Sequence, residues 1–292
     1  MKHFLAIGLG EILWDVLPDT RLLGGAPANF AYQVNALGGA GVPVSRLGDD
    51  ALGREALSIL VAKGVIVDAV AVDPEHPTGT VDALVDDKGV ATYVFPDDVA
   101  WDFMGMDDLA LSLAAKADAV CFGTLAQRSA TSRSAVQTFL DAAQGALKVY
   151  DINLRQHFYS REIIESSLGL ADVLKINDDE LSLVAEMFAL PADEQDALAA
   201  LRETYDLRLA VLTRGEKGSL LLSREGVSDL PGQPTRVVDT IGAGDAFTAA
   251  LVLGYLSGWS LDAINRRATD VAAFVCGQPG AMPEMPENLR IL

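Results

Sequence analysis

Positive charge is scarce in this chain for its size. Only 22 Lys and Arg stand against 41 Asp and Glu in 292 residues, giving a formal charge of −19 and a pI near 4.4. No basic run occurs, and phosphate backbones need grouped Lys and Arg, so the composition speaks against broad affinity for nucleic acid or an anionic membrane surface. Cysteine is almost missing as well. Cys121 and Cys276 each lie in an apolar stretch and read as buried free thiols rather than a disulfide framework. The histidines, His3, His76 and His157, are scattered and lack metal-ligand spacing. No apolar run reaches the ~18 residues of a membrane span. The start, MKHFLAIGLGEILWD, meets acidic residues early and reads as a first core strand rather than a signal peptide, so the cytoplasm is the expected compartment. Neither G-x-x-x-x-G-K-[ST] nor G-x-S-x-G is present, which leaves a P-loop and a hydrolase elbow without support. Gly8-Leu9-Gly10 follows a strand-like run, but Leu13 stands where a dinucleotide fingerprint needs its third glycine.

What the chain does have is apolar mass, 50% of residues, arranged in short runs that alternate with helical patterns. Strand-like segments are His3–Gly8, Val42–Gly48, Ala119–Gly123, Leu147–Ile152, Val173–Ile176 and Leu209–Thr213. Amphipathic stretches such as Ala51–Lys63, Thr131–Gln144, Asp179–Phe188 and Asp193–Tyr205 separate them. Continuous apolar strands joined through helices predict an α/β fold, a mostly parallel sheet covered on both faces in three α/β/α layers. One region breaks the rhythm. Thr78–Phe95 alternates on either side of Asp86–Gly89 and reads as a β-hairpin, which the segment Ile12–Leu17 can join. These predict a small β lid over the open sheet face, formed by about 11–23 and 73–104 within a single domain over 1–292. Gly218–Ser223 and Val227–Leu230 predict a further hairpin in the main domain.

The segment Val237-Val238-Asp239-Thr240-Ile241-Gly242-Ala243-Gly244-Asp245-Ala246-Phe247 reads as a short strand running into a helix. Glycines at a helix start let backbone N–H groups approach a ligand, and those groups lack intrahelical partners at the positive end of the dipole. An aspartate there repels phosphate. It makes sense if the carboxylate must accept the proton of an attacking hydroxyl while the N–H groups of Gly242, Ala243 and Gly244 stabilise the transferred phosphoryl group. The bland alternative is a helix N-terminus with a favourable first-turn acid.

DTIGAGDAFTAALV resembles the C-terminal signature of the ribokinase-like (PfkB) carbohydrate kinases, and Gly24-Gly25-Ala26-Pro27-Ala28-Asn29-Phe30-Ala31, with Gly38 and Gly48 beyond it, resembles their N-terminal signature. The resemblance covers essentially the whole chain. It implies a ribokinase-like fold, ATP as phosphoryl donor, Mg²⁺, and Asp245 as the catalytic base. It also implies that Asp15 accepts hydrogen bonds from sugar hydroxyls, with Gly25 and Asn29 beside it. A carboxylate suits a vicinal diol, although Asp15 also reads as a surface turn acid and Asn29 as a helix cap. Asp151-Ile152-Asn153-Leu154-Arg155 is similar to the D-x-N-x-R segment of fructokinases and sugar-acid kinases, with Arg155 on phosphate, over the sugar, or in a plain surface ion pair. Asn177-Asp178-Asp179-Glu180 resembles the N-x-x-E segment that supports Mg²⁺ largely through water, and equally suits an acidic helix start. Thr213-Arg214-Gly215-Glu216-Lys217-Gly218 resembles the T-x-G-x-x-G nucleotide loop, with Arg214 and Lys217 either offsetting the acidic field or solvated. Gly280-Ala281-Met282-Pro283 matches a turn flanking the nucleotide pocket, near which carbonyls of some relatives bind K⁺.

GEILWD, GGAPAN and DINLR together look most like the fructokinase branch, which implies phosphorylation of D-fructose at its primary 6-hydroxyl. A nucleoside kinase is the main enzymatic rival, since Tyr93, Phe95, Trp101 and Phe103 either stack on a base or sugar or anchor the lid or a dimer contact, and a 2-keto-3-deoxygluconate kinase follows. A catalytically silent sugar-binding regulator is the rival of another class. The expected partners are ATP, a small sugar and a second copy of the chain, paired through lid strands.

Overall fold

The computed structural model describes residues 3–17, 20–85 and 91–292. The chain opens with β1 (Leu5–Leu9), β2 (Leu13–Leu17), β3 (Thr20–Gly24), α1 (Ala26–Ala36), β4 (Ala40–Gly48), α2 (Ala51–Ala62) and β5 (Val70–Asp73). It continues through β6 (Gly79–Val85), β7 (Ala91–Val94), α3 (Asp108–Lys116), β8 (Ala119–Phe122), α4 (Ala130–Ala142), β9 (Leu147–Asp151) and α5 (Arg161–Leu170). The last part holds β10 (Val173–Asn177), α6 (Asp178–Phe188), α7 (Glu194–Thr204), β11 (Leu209–Thr213), β12 (Ser219–Ser223), β13 (Val227–Leu230), α8 (Ala243–Leu256) and α9 (Leu261–Cys276).

The apolar runs form one nine-stranded sheet in the order β13-β12-β11-β10-β9-β8-β1-β4-β5. It is parallel from β11 to β5, and the predicted late hairpin adds β12 and β13 antiparallel at one edge. Strand alternation sends Ile7, Leu9 and Tyr150 to one face, where they pack with α3 to α7, and sends Ala6 and Val149 to the other with α1, α8 and α9. This is the three-layer arrangement that the sequence predicts. A separate four-stranded sheet, β3-β2-β6-β7, pairs β2 with β6 in parallel, so the segment around Leu13–Leu17 joins the hairpin as expected. The turn at Asp86–Gly89 lies outside the described residues.

Two expectations change. Val237 and Val238 form no strand; they are 61% and 58% exposed, and Val238 only donates its N–H to the Cys276 carbonyl at 2.8 Å. Two β-branched residues in a row carry strand propensity, but here they pair with no strand. Cys121 is buried as predicted, whereas Cys276 is half-buried; both are free thiols. No helix among the described residues is long and apolar enough to cross a membrane.

Candidate active site

The order of the main sheet reverses direction at β1, with β4 on one side and β8 on the other, and ligands of open parallel sheets sit outside the strand carboxyl ends at such a point. A cavity of 450 Å³ lies there, between the ends of β1, β9 and β10 and the small sheet. Of the residues singled out in the sequence, Asp15, Gly25, Asn29, Arg155, Asn177, Glu180, Gly242, Gly244 and Asp245 all line it.

Asp245 stands in the first turn of α8, partly open to the cavity and enclosed by protein elsewhere. Burial pushes its carboxyl up to about 6; the Asp151 charge adds to this, while the Asn29 amide, Lys175 and Arg155 oppose it. Asn29 Nδ2 donates to Asp245 Oδ2 at 2.8 Å, joining the two signatures across 216 positions of sequence. α1 starts at Ala26 with Gly25 as its cap, so Asn29 sits inside the helix and caps nothing. Its Oδ1 is buried without a hydrogen-bond partner.

Glycine is required on both sides of this contact. Gly242 caps α8 at φ 76°, and a Cβ there would lie 2.5 Å from the Ala281 Cβ. Gly25, at φ 102°, would place a Cβ 2.4 Å from the Glu11 carbonyl oxygen. The loop before α8 is shaped by Asp239, whose Oδ1 accepts from the Ile241 N–H at 3.0 Å and whose Oδ2 accepts from the Gly280 N–H at 3.1 Å. Helix geometry leaves first-turn amides without intrahelical acceptors, although Ala243 N–H reaches the Thr240 carbonyl at 3.3 Å.

Below the loop lies a charge pair that sequence reasoning missed. Lys175 on β10 is in register with Asp151 on β9, and its Nζ is 3.1 Å from Asp151 Oδ1. Burial works against the Lys175 ammonium, but Asp151 and Glu180 outweigh it and hold its pKa above the ordinary value. The Thr248 hydroxyl lies 2.9 Å from Asp151 Oδ2, and a Cβ on Gly244 would come 3.1 Å from Lys175 Nζ. Glu11, also missed, is 3% exposed and lines the cavity after β1. Burial raises its pKa to about 7 against the pull of its own N–H, Arg155 and the Ala26 N–H. The available signals were a lone Lys in an apolar strand and a Glu closing one, both of which need a fold to supply their neighbours.

The far side of the cavity is mixed. Asp15 has its pKa raised by burial and eased by Arg155. Leu13, Val81, Phe95 and Leu125 form an apolar wall beside it. Trp101 is buried and Phe103 stacks on His76 at 3.6 Å, so both anchor structure rather than line the cavity, while the Tyr93 side chain lies outside the described residues.

At the opposite end Asn177 caps α6 in a reciprocal box with Glu180. The Glu180 oxygens accept from the N–H groups of Leu154 at 2.9 Å and Asn177 at 3.0 Å. Thr213 lies beside Asn177 across the β10–β11 ladder, and Gly215 and Gly218 shape the turn into β12; these three do not line the cavity. Arg214 is committed to Asp229, with Glu194 4.0 Å away, and Lys217 lies 3.8 Å from Asp178. No cluster of three or more His, Cys, Asp or Glu able to hold a metal occurs among the described residues.

Comparison with known proteins follows the same outline. The profile of the pfkB family of carbohydrate kinases matches residues 19–288. A fructokinase of Klebsiella pneumoniae is 33% identical over 297 residues, covering 95% of each chain. The crystal structure of a Xylella fastidiosa fructokinase with bound ATP superposes with a TM-score of 0.84 over 97% of this chain and 95% of that one, at 23% identity. A double-mutant fructokinase of Vibrio cholerae with fructose, ADP and a potassium ion bound gives a TM-score of 0.79 over 97% and 95% of the two chains, at 25% identity.

Proposed function

The chain belongs to the pfkB family of carbohydrate kinases, and from that premise we propose that it transfers the γ-phosphoryl group of ATP to the primary 6-hydroxyl of D-fructose. The observation that carries the reading is Asp245, a carboxylate at the N-terminus of a buried helix, held by Asn29 and facing a cavity that Asp15 and Arg155 share. Asp245 takes the hydroxyl proton as the new O–P bond forms and the bond to the leaving ADP breaks. The amides of Gly242, Ala243 and Gly244 stabilise charge on the transferred group. Asp15, Gly25 and Asn29 bind the sugar, and Arg155 closes over it. Asn177, Thr213, Gly215 and Gly218 border the nucleotide.

Cavity charge supports a neutral sugar. Glu11, Asp15, Asp151, Glu180 and Asp245 line it against Arg155 and Lys175, and Lys175 is already spent on Asp151. A sugar acid such as 2-keto-3-deoxygluconate would bring a further negative charge into a cavity whose carboxylates outnumber its cations, with Arg155 left to meet it. The apolar wall fits the C–H face of a sugar ring without offering the two-sided stack of a nucleoside base.

Magnesium, which Glu180 and Asn177 would support through water, would neutralise charge on the β and γ oxygens. The donor set fits that role: both Glu180 oxygens already accept a backbone N–H, leaving only outward lone pairs for water. Potassium activation belongs to the same reading, on the ion bound by the Vibrio protein. So does one kinase domain over 1–292 whose segments 11–23 and 73–104 close on the sugar and exclude water. The edge strands β3 and β7 of the small sheet are the surfaces for a homodimer. Two free thiols suit the cytoplasm.

A panel of fructose, ribose, adenosine and 2-keto-3-deoxygluconate, scored by ADP release with and without acceptor, tests this. Fructose should give the highest kcat/KM. Faster turnover of adenosine overturns the branch, and acceptor-independent ATPase at the same rate overturns closure.

A further inference from the structure

The sugar reading leaves one buried cation without a task. Arg128, between β8 and α4, has a side chain only 6% exposed. Its Nε and Nη2 donate to the two oxygens of Asp102 at 2.8 and 2.6 Å, and Nη2 also reaches the Pro96 carbonyl at 2.5 Å. The guanidinium lies 4.1 Å from the Trp101 ring centre and 4.8 Å from that of Phe158. Nη1 is buried with no acceptor.

These contacts join two segments that come from different parts of the chain. Pro96, Trp101 and Asp102 belong to the return from β7, which begins with Phe95 on the cavity wall. Phe158 belongs to the loop after β9, where its N–H donates to the Arg155 carbonyl at 3.0 Å and its ring meets Phe95 edge-on at 5.5 Å. That loop passes through positive φ at Asn153 (43°), where asparagine is at ease, and at Gln156 (47°), which needs its surroundings to hold it there.

A buried ion pair is a poor way to add stability. Well-packed apolar groups do as well or better, and here one nitrogen is left unsatisfied on top of the desolvation cost. What the planar fork adds is direction: it binds a carboxylate in two places and stacks on two rings at once. We infer that Arg128 is a positioning residue that locks the return segment Phe95–Phe103 to the 153–158 loop, so that the apolar wall at Phe95 and the cation at Arg155 form a single sugar-facing unit. The inference rests on the sugar-kinase reading for its consequence, but its geometry does not.

Removing Arg128 alone would strand Asp102, so the test uses the double variant Arg128→Met/Asp102→Asn beside Arg128→Lys and the unaltered protein. Hydrogen exchange without ligands is the first arm. In the double variant the amides of 97–103 and 154–159 should gain exchange together, by about tenfold or more, while those in the middle of α4 stay as they were. Faster exchange in one segment only, or a uniform rise, overturns the coupling. Kinetics with fructose and ATP are the second arm. KM for sugar should rise about tenfold with KM for ATP within about twofold. Arg128→Lys should follow the double variant, because an ammonium cannot span Asp102 and Pro96 while stacking on both rings. Equal change in both KM values, or wild-type behaviour of Arg128→Lys in both arms, overturns the inference. If the unaltered protein phosphorylates none of the sugars, the kinase reading fails, and the exchange arm still decides whether Arg128 couples the two segments.

Discussion

Asp245→Asn is expected to lower kcat by about 10²–10⁴-fold while fructose still binds. The replacement has nearly the same shape and retains an oxygen for the Asn29 amide, which now donates to Asp245 Oδ2 at 2.8 Å. What it loses is the ability to take a proton. Turnover by ADP release and sugar binding by calorimetry separate the two effects, and near-normal turnover would overturn the mechanism. The unaltered enzyme should show the same chemistry in its pH profile. Burial, helped by Asp151, raises Asp245 to about 6, and only the deprotonated form is a base. The rate kcat/KM should therefore be level above that pH and fall as pH drops through it. Because Glu11 shares the cavity and is raised to about 7, the two acids are expected to titrate as a coupled pair, so the measured limb describes the pair.

Lys175→Met should damage the protein in two distinguishable ways. Lys175 is the near partner of Asp151, Nζ to Oδ1 3.1 Å, and both side chains are below 10% exposed. Removing one member of such a pair leaves a buried charge unmatched, at a cost of about 3–5 kcal/mol. Thermal or urea unfolding measures it, and adding Asp151→Asn should recover part of the loss because the stranded charge is gone. The second effect is catalytic. Lys175 is among the groups that hold the Asp245 carboxyl down, so its loss should move the acid limb of surviving activity to higher pH. An unchanged limb would mean that the pair supports the loop only mechanically.

The sheet was legible because burial on both faces writes itself as continuous apolar runs, and Leu209–Thr213 begins and ends as the pattern predicts. The helix start at Gly242 was legible for a local reason as well, since glycine and acid at a helix N-terminus have a chemistry of their own. Val237–Val238 failed because propensity cannot say whether a sheet edge is free to receive a strand. Glu11 and Lys175 were silent for the opposite reason: their meaning lies entirely in neighbours. Nothing near VLKIN announces that its lysine faces the aspartate of LKVYD, a match set by the register of β9 against β10. The contact from Asn29 to Asp245 is of the same kind.

One consequence follows from the helix that carries the base. α8 is buried without interruption from Ala246 to Gly254, with α1 on one flank and α9 on another. Gly254 lets α9 in so closely that a Cβ there would lie 3.2 Å from an Ile264 methylene. From that crossing to Asp245 is about 14 Å of stiff rod at 1.5 Å per residue. The crossing is then a fulcrum: where the Ile264 and Trp259 side chains do not give way, bulk added at Gly254 is expected to tilt the rod and carry the displacement to its tip. A shift of about 1 Å at a reacting group is enough to cost about 10²-fold in rate. Variants at the α8–α9 seam should present as slow enzymes with ordinary substrate affinity, and a screen for activity would map this seam as though it touched the sugar.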